Sequence, residues 1–235
     1  MNLKKYITIL RIVWSILLLS LKVTFCRYSR DEINKLAYEW GTRMFHLAKA
    51  DFKIVDPYQI TFQSDRNYII MSNHLSLFDI PTIFRAFSDK LTLRMMGKAE
   101  LFKVPIWGWA MKKTDFISVD RGNRKAATES LQLAKIKMDS GIALWIAPEG
   151  TRSRTGELLP FKKGGFMLAK RTDAIIVPVG IRGTHKIIPP DTLNLSFNEA
   201  VEVHIGKPVD TREYPLTERD RLIHDVRERI KSSAQ

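Results

Sequence analysis

The hydrophobic pattern divides the chain into a greasy helical start and a longer run of short strands alternating with helices. Residues 6–26 read as one apolar helix interrupted by Arg11 and Lys22. Lys4, Thr8, Arg11, Ser15 and Lys22 recur at intervals of 4, 3, 4 and 7. At about 100° per residue that spacing makes one narrow polar stripe on a helix that is otherwise apolar, as at Ile9, Trp14, Leu17 and Leu21. Residues 31–50 predict a second helix, with Ile33, Leu36, Ala37, Trp40, Met44, Leu47 and Ala48 on one face. That face suits either core packing or a second membrane-anchoring helix paired with the first.

From residue 67 the texture changes. Short apolar runs at 68–71, 93–96, 116–119, 143–146, 174–178 and 201–205 predict strands. Helices fall between them. The clearest covers 125–139, with Ala127, Leu131, Ala134 and Met138 on one face and Gly141 just past its end. A last helix spans 218–231, with Thr217 as its cap and Leu222, Val226 and Ile230 as its stripe. Alternation of this kind predicts an α/β fold, a mixed and largely parallel sheet covered by helices. The expected organisation is a membrane-associating two-helix segment over 1–50 and an α/β domain over 51–235.

Charge sharpens this picture. A net charge of +13 and a pI near 9.9 point to an anionic partner, the plainer alternative being solubility by net charge. Residues 1–30 contain six basic side chains and no acidic one, on the same stretch as the longest apolar run. Basic and apolar together favour an anionic phospholipid surface over nucleic acid. Zinc-finger spacing, a basic region with heptads and an aromatic RNP pattern are all absent from the sequence, so no nucleic-acid partner is expected. Arg11 breaks any signal-peptide core, and bulky Phe25 before Cys26 argues against a lipoprotein site. Three placements of the first helix stay open: lying in one leaflet, spanning the bilayer, or packed on its own domain. A single cysteine excludes an intramolecular disulfide and a cysteine-based zinc site.

Candidate chemistry clusters just after the strands, where α/β sheets place ligands. In Ser72-Asn73-His74-Leu75-Ser76-Leu77-Phe78-Asp79, His74 and Asp79 are five apart. They meet only if His74 lies in the turn before a helix and Asp79 in its first turns. Asp79 then fixes the imidazole tautomer and leaves the other nitrogen as a base. Taken alone, the pair also fits a loop histidine with a satisfied hydrogen bond. Glu149-Gly150-Thr151-Arg152-Ser153 offers a glycine, a hydroxyl and a guanidinium in a strand-to-loop turn, suited to an oxyanion or a phosphate. Its plainer alternative is a surface ion pair between Glu149 and Arg152. Lys98 and Asp120-Arg121 follow other strands, and Phe161-Lys162-Lys163-Gly164-Gly165 opens a helix whose N–H groups favour anions. The carboxylates do not cluster at ligand spacing, so no metal is expected. A serine hydrolase would need a G-x-S-x-G elbow, which the sequence lacks.

Four boxes in order carry a family resemblance. Asn73-His74 with Asp79 resembles the NH-x4-D box of the glycerolipid acyltransferases of the 1-acylglycerol-3-phosphate (PlsC-like) kind. Phe116-Ile117-Ser118-Val119-Asp120-Arg121, Glu149-Gly150-Thr151-Arg152-Ser153 and Ile176-Val177-Pro178-Val179 resemble its second, third and fourth boxes. The resemblance implies His74 as general base with Asp79 behind it, acting on the sn-2 hydroxyl of lysophosphatidic acid. It implies Lys98, Arg121, Glu149, Gly150, Thr151 and Arg152 around the glycerol phosphate. Lys162, Lys163 and Gly164 become candidate contacts for the acyl donor or another anion. The donor implied is a fatty acyl thioester, acyl-CoA or acyl carrier protein, with no permanently bound cofactor, at the cytoplasmic face of a membrane. A non-enzymatic lipid-binding protein is the reading outside catalysis. It would need the basic helices but not His74 with Asp79.

Overall fold

A computed structural model describes residues 3–120, 122 and 124–235. Two helices open the chain, α1 (Leu3–Phe25) and α2 (Arg30–Ala48), followed by strand β1 (Asp51–Val55). Then come β2 (Tyr68–Ser72), α3 (Asp79–Phe87), β3 (Leu93–Lys98), α4 (Trp107–Lys113) and β4 (Ile117–Val119). Next are α5 (Arg124–Asp139), β5 (Ala143–Ile146), α6 (Lys163–Arg171), β6 (Ile175–Arg182) and the short α7 (Thr184–Ile187). β7 (Ala200–Ile205), β8 (Val209–Asp210) and α8 (Arg219–Ala234) complete it.

The strands form one sheet in the order β1-β7-β6-β2-β5-β3-β4, with β8 on β6. Neighbours from β6 through β4 run parallel, so β2, β3, β4, β5 and β6 all end at the same edge. β7 and β8 join antiparallel to β6. The mixed, largely parallel sheet expected from the alternation is therefore present. β1 and β8 are not among the strands expected from the sequence. β1 is an edge strand of mixed residues, Asp51-Phe52-Lys53-Ile54-Val55, only partly buried, and β8 is two residues long. Neither gives a strong apolar run.

The pleat sorts side chains onto two faces. Ile69, Met71, Leu144 and Ile176 pack against Met138 of α5, Phe166 of α6 and Val226 of α8. Ile70, Trp145, Val177 and Val179 pack against Ile83, Phe84 and Phe87 of α3. α2 lies across α3 at very short range. A Cβ on Gly41 would sit 2.7 Å from the Pro81 carbonyl, so glycine permits the close crossing. Ser29 caps α2 in a reciprocal capping box with Glu32. α8 starts at Arg219 without a side-chain cap, so Thr217 does not play the expected capping role.

The two N-terminal helices behave differently. Met44, Phe45 and Ala48 of α2 are buried with Phe78, Ile187 and Leu195, so its apolar stripe is used within the domain. The expected two-helix anchor is thus corrected: among the described residues only α1 is long and apolar enough to cross a membrane. The outer side of α1 is largely apolar, unlike that of a soluble helix. Thr8, Ser15 and Ser20 face the protein, while Leu10, Trp14 and Phe25 are 50%, 59% and 73% exposed. The predicted polar stripe splits: Thr8 and Ser15 turn inward, and Arg11 and Lys22 stay exposed. α1 lies beside α2 and α4, where the Lys113 ammonium donates to the carbonyls of Thr24 and Cys26. Trp109 of α4 is likewise 56% exposed.

Candidate active site

The backbone leaves β2 at Ser72 and is pinned at once by Asn73. The buried Asn73 amide donates to the Ile181 carbonyl at 2.9 Å and accepts the Ile181 N–H at 2.7 Å. This closes both backbone groups of Ile181 on β6. The Trp145 indole N–H donates to the Ser72 hydroxyl at 2.9 Å, and the Trp145 ring meets the His74 ring edge-on at 5.9 Å. His74 is thereby held just above the end of β2.

Asp79 is the first residue of α3 and fully buried. Its Oδ2 lies 2.7 Å from His74 Nδ1 and accepts the N–H groups of Leu75 at 2.7 Å and Ser76 at 2.9 Å. The helix N-terminus adds a favourable field for this carboxylate. Nδ1 is then the protonated ring nitrogen of a neutral His74, which leaves the lone pair on Nε2. An imidazole so placed can take a proton at Nε2, and the buried carboxylate stabilises the imidazolium that results. The geometry expected from the five-residue spacing, histidine in the turn and aspartate in the first helical turn, is realised.

The turn after β5 reaches the same place. Because β2 and β5 are adjacent and parallel, both turns leave the sheet on one edge. Glu149 is buried, accepting the His74 N–H at 3.0 Å on one oxygen and the Leu159 N–H at 2.8 Å on the other. The Ser153 N–H in turn donates to the His74 carbonyl at 2.8 Å. Burial pushes the Glu149 carboxyl above its ordinary value, opposed by those two N–H donors, by His74 when it is protonated and by the Arg227 charge. Glu149 therefore fastens two loops together, and the alternative of a Glu149–Arg152 ion pair is not realised: Glu149 accepts two backbone N–H groups. Arg152 instead donates to Asp191 at 3.2 Å, and Arg154 shares the same carboxylate at 2.6 Å.

The other expected positions fall as follows. Gly150 takes a left-handed turn at φ 74°, and Thr151 is exposed beside it. Lys98 is exposed at the end of β3, in register with Val119 of β4, so it shares the sheet edge with His74 two strands away. Arg121 lies outside the described residues. The Lys162 N–H donates to the Pro148 carbonyl at 2.7 Å, which ties the start of α6 to the Glu149 turn. Gly164 opens that helix on free space. Lys163, by contrast, turns toward α8 and pairs with Asp220 at 3.6 Å.

Residues 55–182, more than half the chain and all four boxes, match the family model described as Acyltransferase. The chain belongs to this acyltransferase family. The 1-acyl-sn-glycerol-3-phosphate acyltransferase of Haemophilus influenzae is 31% identical over 195 residues, covering 81% of this chain and 77% of that protein. The chloroplastic enzyme of that name from Brassica napus is 30% identical over 186 residues, 79% of this chain and 52% of that protein. The chain thus spans about half the length of that plant relative. The crystal structure of the 1-acyl-sn-glycerophosphate acyltransferase PlsC from Thermotoga maritima superposes with a TM-score of 0.74 at 26% identity, covering 98% of this chain and 97% of that one.

For an acyltransferase of this family, several positions in the dyad's surroundings carried no role in the sequence. Asn73 was legible as part of a box but not as a clamp on β6. Ser76 donates to the Ile188 carbonyl at 2.6 Å, a contact 112 residues apart that no local pattern announces. Arg154 and Asp191 meet across 37 residues, and Asp191 lies in no motif.

Proposed function

We propose that the protein transfers a fatty acyl group from an acyl thioester to the sn-2 hydroxyl of lysophosphatidic acid, giving phosphatidic acid. The observation that carries this reading is the His74–Asp79 dyad at 2.7 Å, set on the same sheet edge as the turn that carries Arg152. The family and the named relatives supply the acceptor class. His74 Nε2 takes the proton from the acceptor hydroxyl as its oxygen attacks the thioester carbonyl. The C–S bond then breaks, and the departing sulfur takes the proton back from the imidazolium, so no protein nucleophile is acylated. Arg152 binds the acceptor phosphate, because a guanidinium offers paired donors to phosphate oxygens. Lys98 and Thr151 belong to the same acceptor region, and Arg121 is assigned to it by the family resemblance alone. Glu149 holds the frame. Lys162 and Gly164, at the start of α6, face the anionic donor, acyl-CoA or acyl carrier protein.

The membrane reading rests on α1. Its exposed apolar side chains, Trp14 and Phe25 among them, the exposed Trp109 of the neighbouring α4 and the Lys and Arg side chains of residues 1–30 suit the interface of an anionic bilayer at the cytoplasmic face. The assay that tests the function offers purified protein several lysophospholipids with acyl-CoA and with acyl carrier protein as donors. Phosphatidic acid formed from lysophosphatidic acid, and lost in His74→Ala, is the expected outcome. Turnover that survives His74→Ala would sink the mechanism.

A further inference from the structure

Arg152 and Arg154 converge on one carboxylate. Asp191 Oδ1 lies 3.2 Å from Arg152 Nη2, and Asp191 Oδ2 lies 2.6 Å from Arg154 Nε. Two guanidinium groups gripping the two oxygens of one anion is the arrangement that a phosphate monoester would take. The site is joined to the catalytic turn from both sides. Ser153, between the two arginines in sequence, donates its N–H to the His74 carbonyl. The segment that carries Asp191 is tied to the same turn through the Ser76 hydroxyl, which donates to the Ile188 carbonyl at 2.6 Å. The carboxylate is half exposed and Arg154 is 80% exposed, so the bridge sits where an incoming anion can reach it.

We propose that Arg154 is a second phosphate-binding residue beside Arg152, and that Asp191 is an internal anion that competes with the acceptor phosphate for this pair. The proposal rests on the reading of Arg152 as the acceptor-phosphate ligand. Its physical basis is a difference in strength. An exposed Asp–Arg pair is weak, because water screens it and two side chains must be held in place. A phosphate monoester carries up to two charges and three acceptor oxygens, so it displaces a single carboxylate from two guanidinium groups. Asp191 thus lowers the apparent affinity for the acceptor by the strength of the bridge it must surrender. It also keeps the two arginines apart from each other's repulsion and aimed at one point before the acceptor arrives.

The test is steady-state kinetics of the full-length protein in mixed micelles, with lysophosphatidic acid as the varied substrate. Asp191→Asn keeps the shape and removes the charge. It is expected to lower KM by about two- to fivefold, the range an exposed ion pair is worth, with kcat changed less than KM. Arg154→Ala is expected to raise KM by a similar factor. The gain from Asp191→Asn is expected to vanish in an Arg152→Ala/Arg154→Ala background, where there is no guanidinium to release. A merely structural Asp191 would lower thermal stability and leave KM unmoved or raised, and that result in both Asp191→Asn and Asp191→Ser overturns its role as competitor. An unchanged KM in Arg154→Ala overturns the two-arginine clamp. Failure of the underlying reading looks different: Arg152→Ala would then lose the same factor on lysophosphatidic acid and on an uncharged monoacylglycerol.

Discussion

Glu149 holds His74 by its backbone and not by its ring. One carboxylate oxygen takes the His74 N–H at 3.0 Å while the other takes the Leu159 N–H at 2.8 Å. A residue that reads in the sequence as an acceptor ligand is thus a staple between the catalytic turn and the loop before α6.

Glu149→Gln tests the staple. Either orientation of the amide sets an NH2 group against one of the two N–H donors. Leaving a buried polar group unpaired costs about 1–3 kcal/mol, so a lower thermal midpoint is expected. Activity should fall by the same factor on lysophosphatidic acid and on monoacylglycerol, because the damage is to His74 and not to phosphate binding. Full stability with a loss confined to phosphate-bearing acceptors would return Glu149 to the acceptor site.

His74→Ala should separate chemistry from folding, and Asp79→Asn should not. Removing the base should cost at least ~10²–10⁴-fold in kcat, with the fold retained, since the buried Asp79 carboxylate keeps the N–H donors of Leu75 and Ser76. Asp79→Asn should lose activity and stability together. Its oxygen can keep the three donors at Oδ2, but the new NH2 then occupies the buried Oδ1 position, which has no hydrogen-bond partner. Paired kcat and unfolding measurements decide; an Asp79→Asn protein as stable as wild type would contradict this account.

Leu10→Glu and Trp14→Glu probe the outward side of α1. Both side chains are half exposed or more, so the folded domain should keep its thermal midpoint. If that side enters the bilayer, each change should weaken sedimentation with anionic liposomes by roughly tenfold or more, since a buried apolar side chain contributes ~1.5–3 kcal/mol. Unaltered liposome binding in the double variant would place the membrane contact elsewhere.

Asp210 gives a pH dependence of stability. Burial alone would raise its carboxyl, but hydrogen bonds and charge from Arg212 and Arg66 outweigh that and bring it down to about 2. A lowered folded-state value means that this stabilisation is complete above the ordinary carboxylate range and is lost as pH falls toward 2. Arg66, which reaches Asp210 at 2.9 Å, should carry part of it. Thermal midpoints measured between pH 5 and pH 2.5 should therefore fall less steeply in Arg66→Ala than in wild type; parallel curves would remove this pair from the acid response.

Local pattern alone determined the α/β alternation, the turn-then-helix placement of His74 and Asp79, and the apolar character of residues 6–26. Each of these follows from spacing over fewer than about ten residues at a time, through the periods of helix and strand. Tertiary structure decided the rest. α2 has an apolar stripe that fits a core or a bilayer equally well by composition, and only its packing on α3 across Gly41 assigns it to the domain. The helix α1 shows which of its sides is outward only once Thr8 and Ser15 are seen turned toward the protein. Arg152 could pair with Glu149 three residues away or with a partner anywhere in the chain. Asp191 became that partner because the turn after β5 and the loop after α7 are brought to one edge by parallel strands. Charge pairing across 39 residues leaves no periodic trace in a sequence, since it depends on where two loops end in space and not on how either is spaced along the chain.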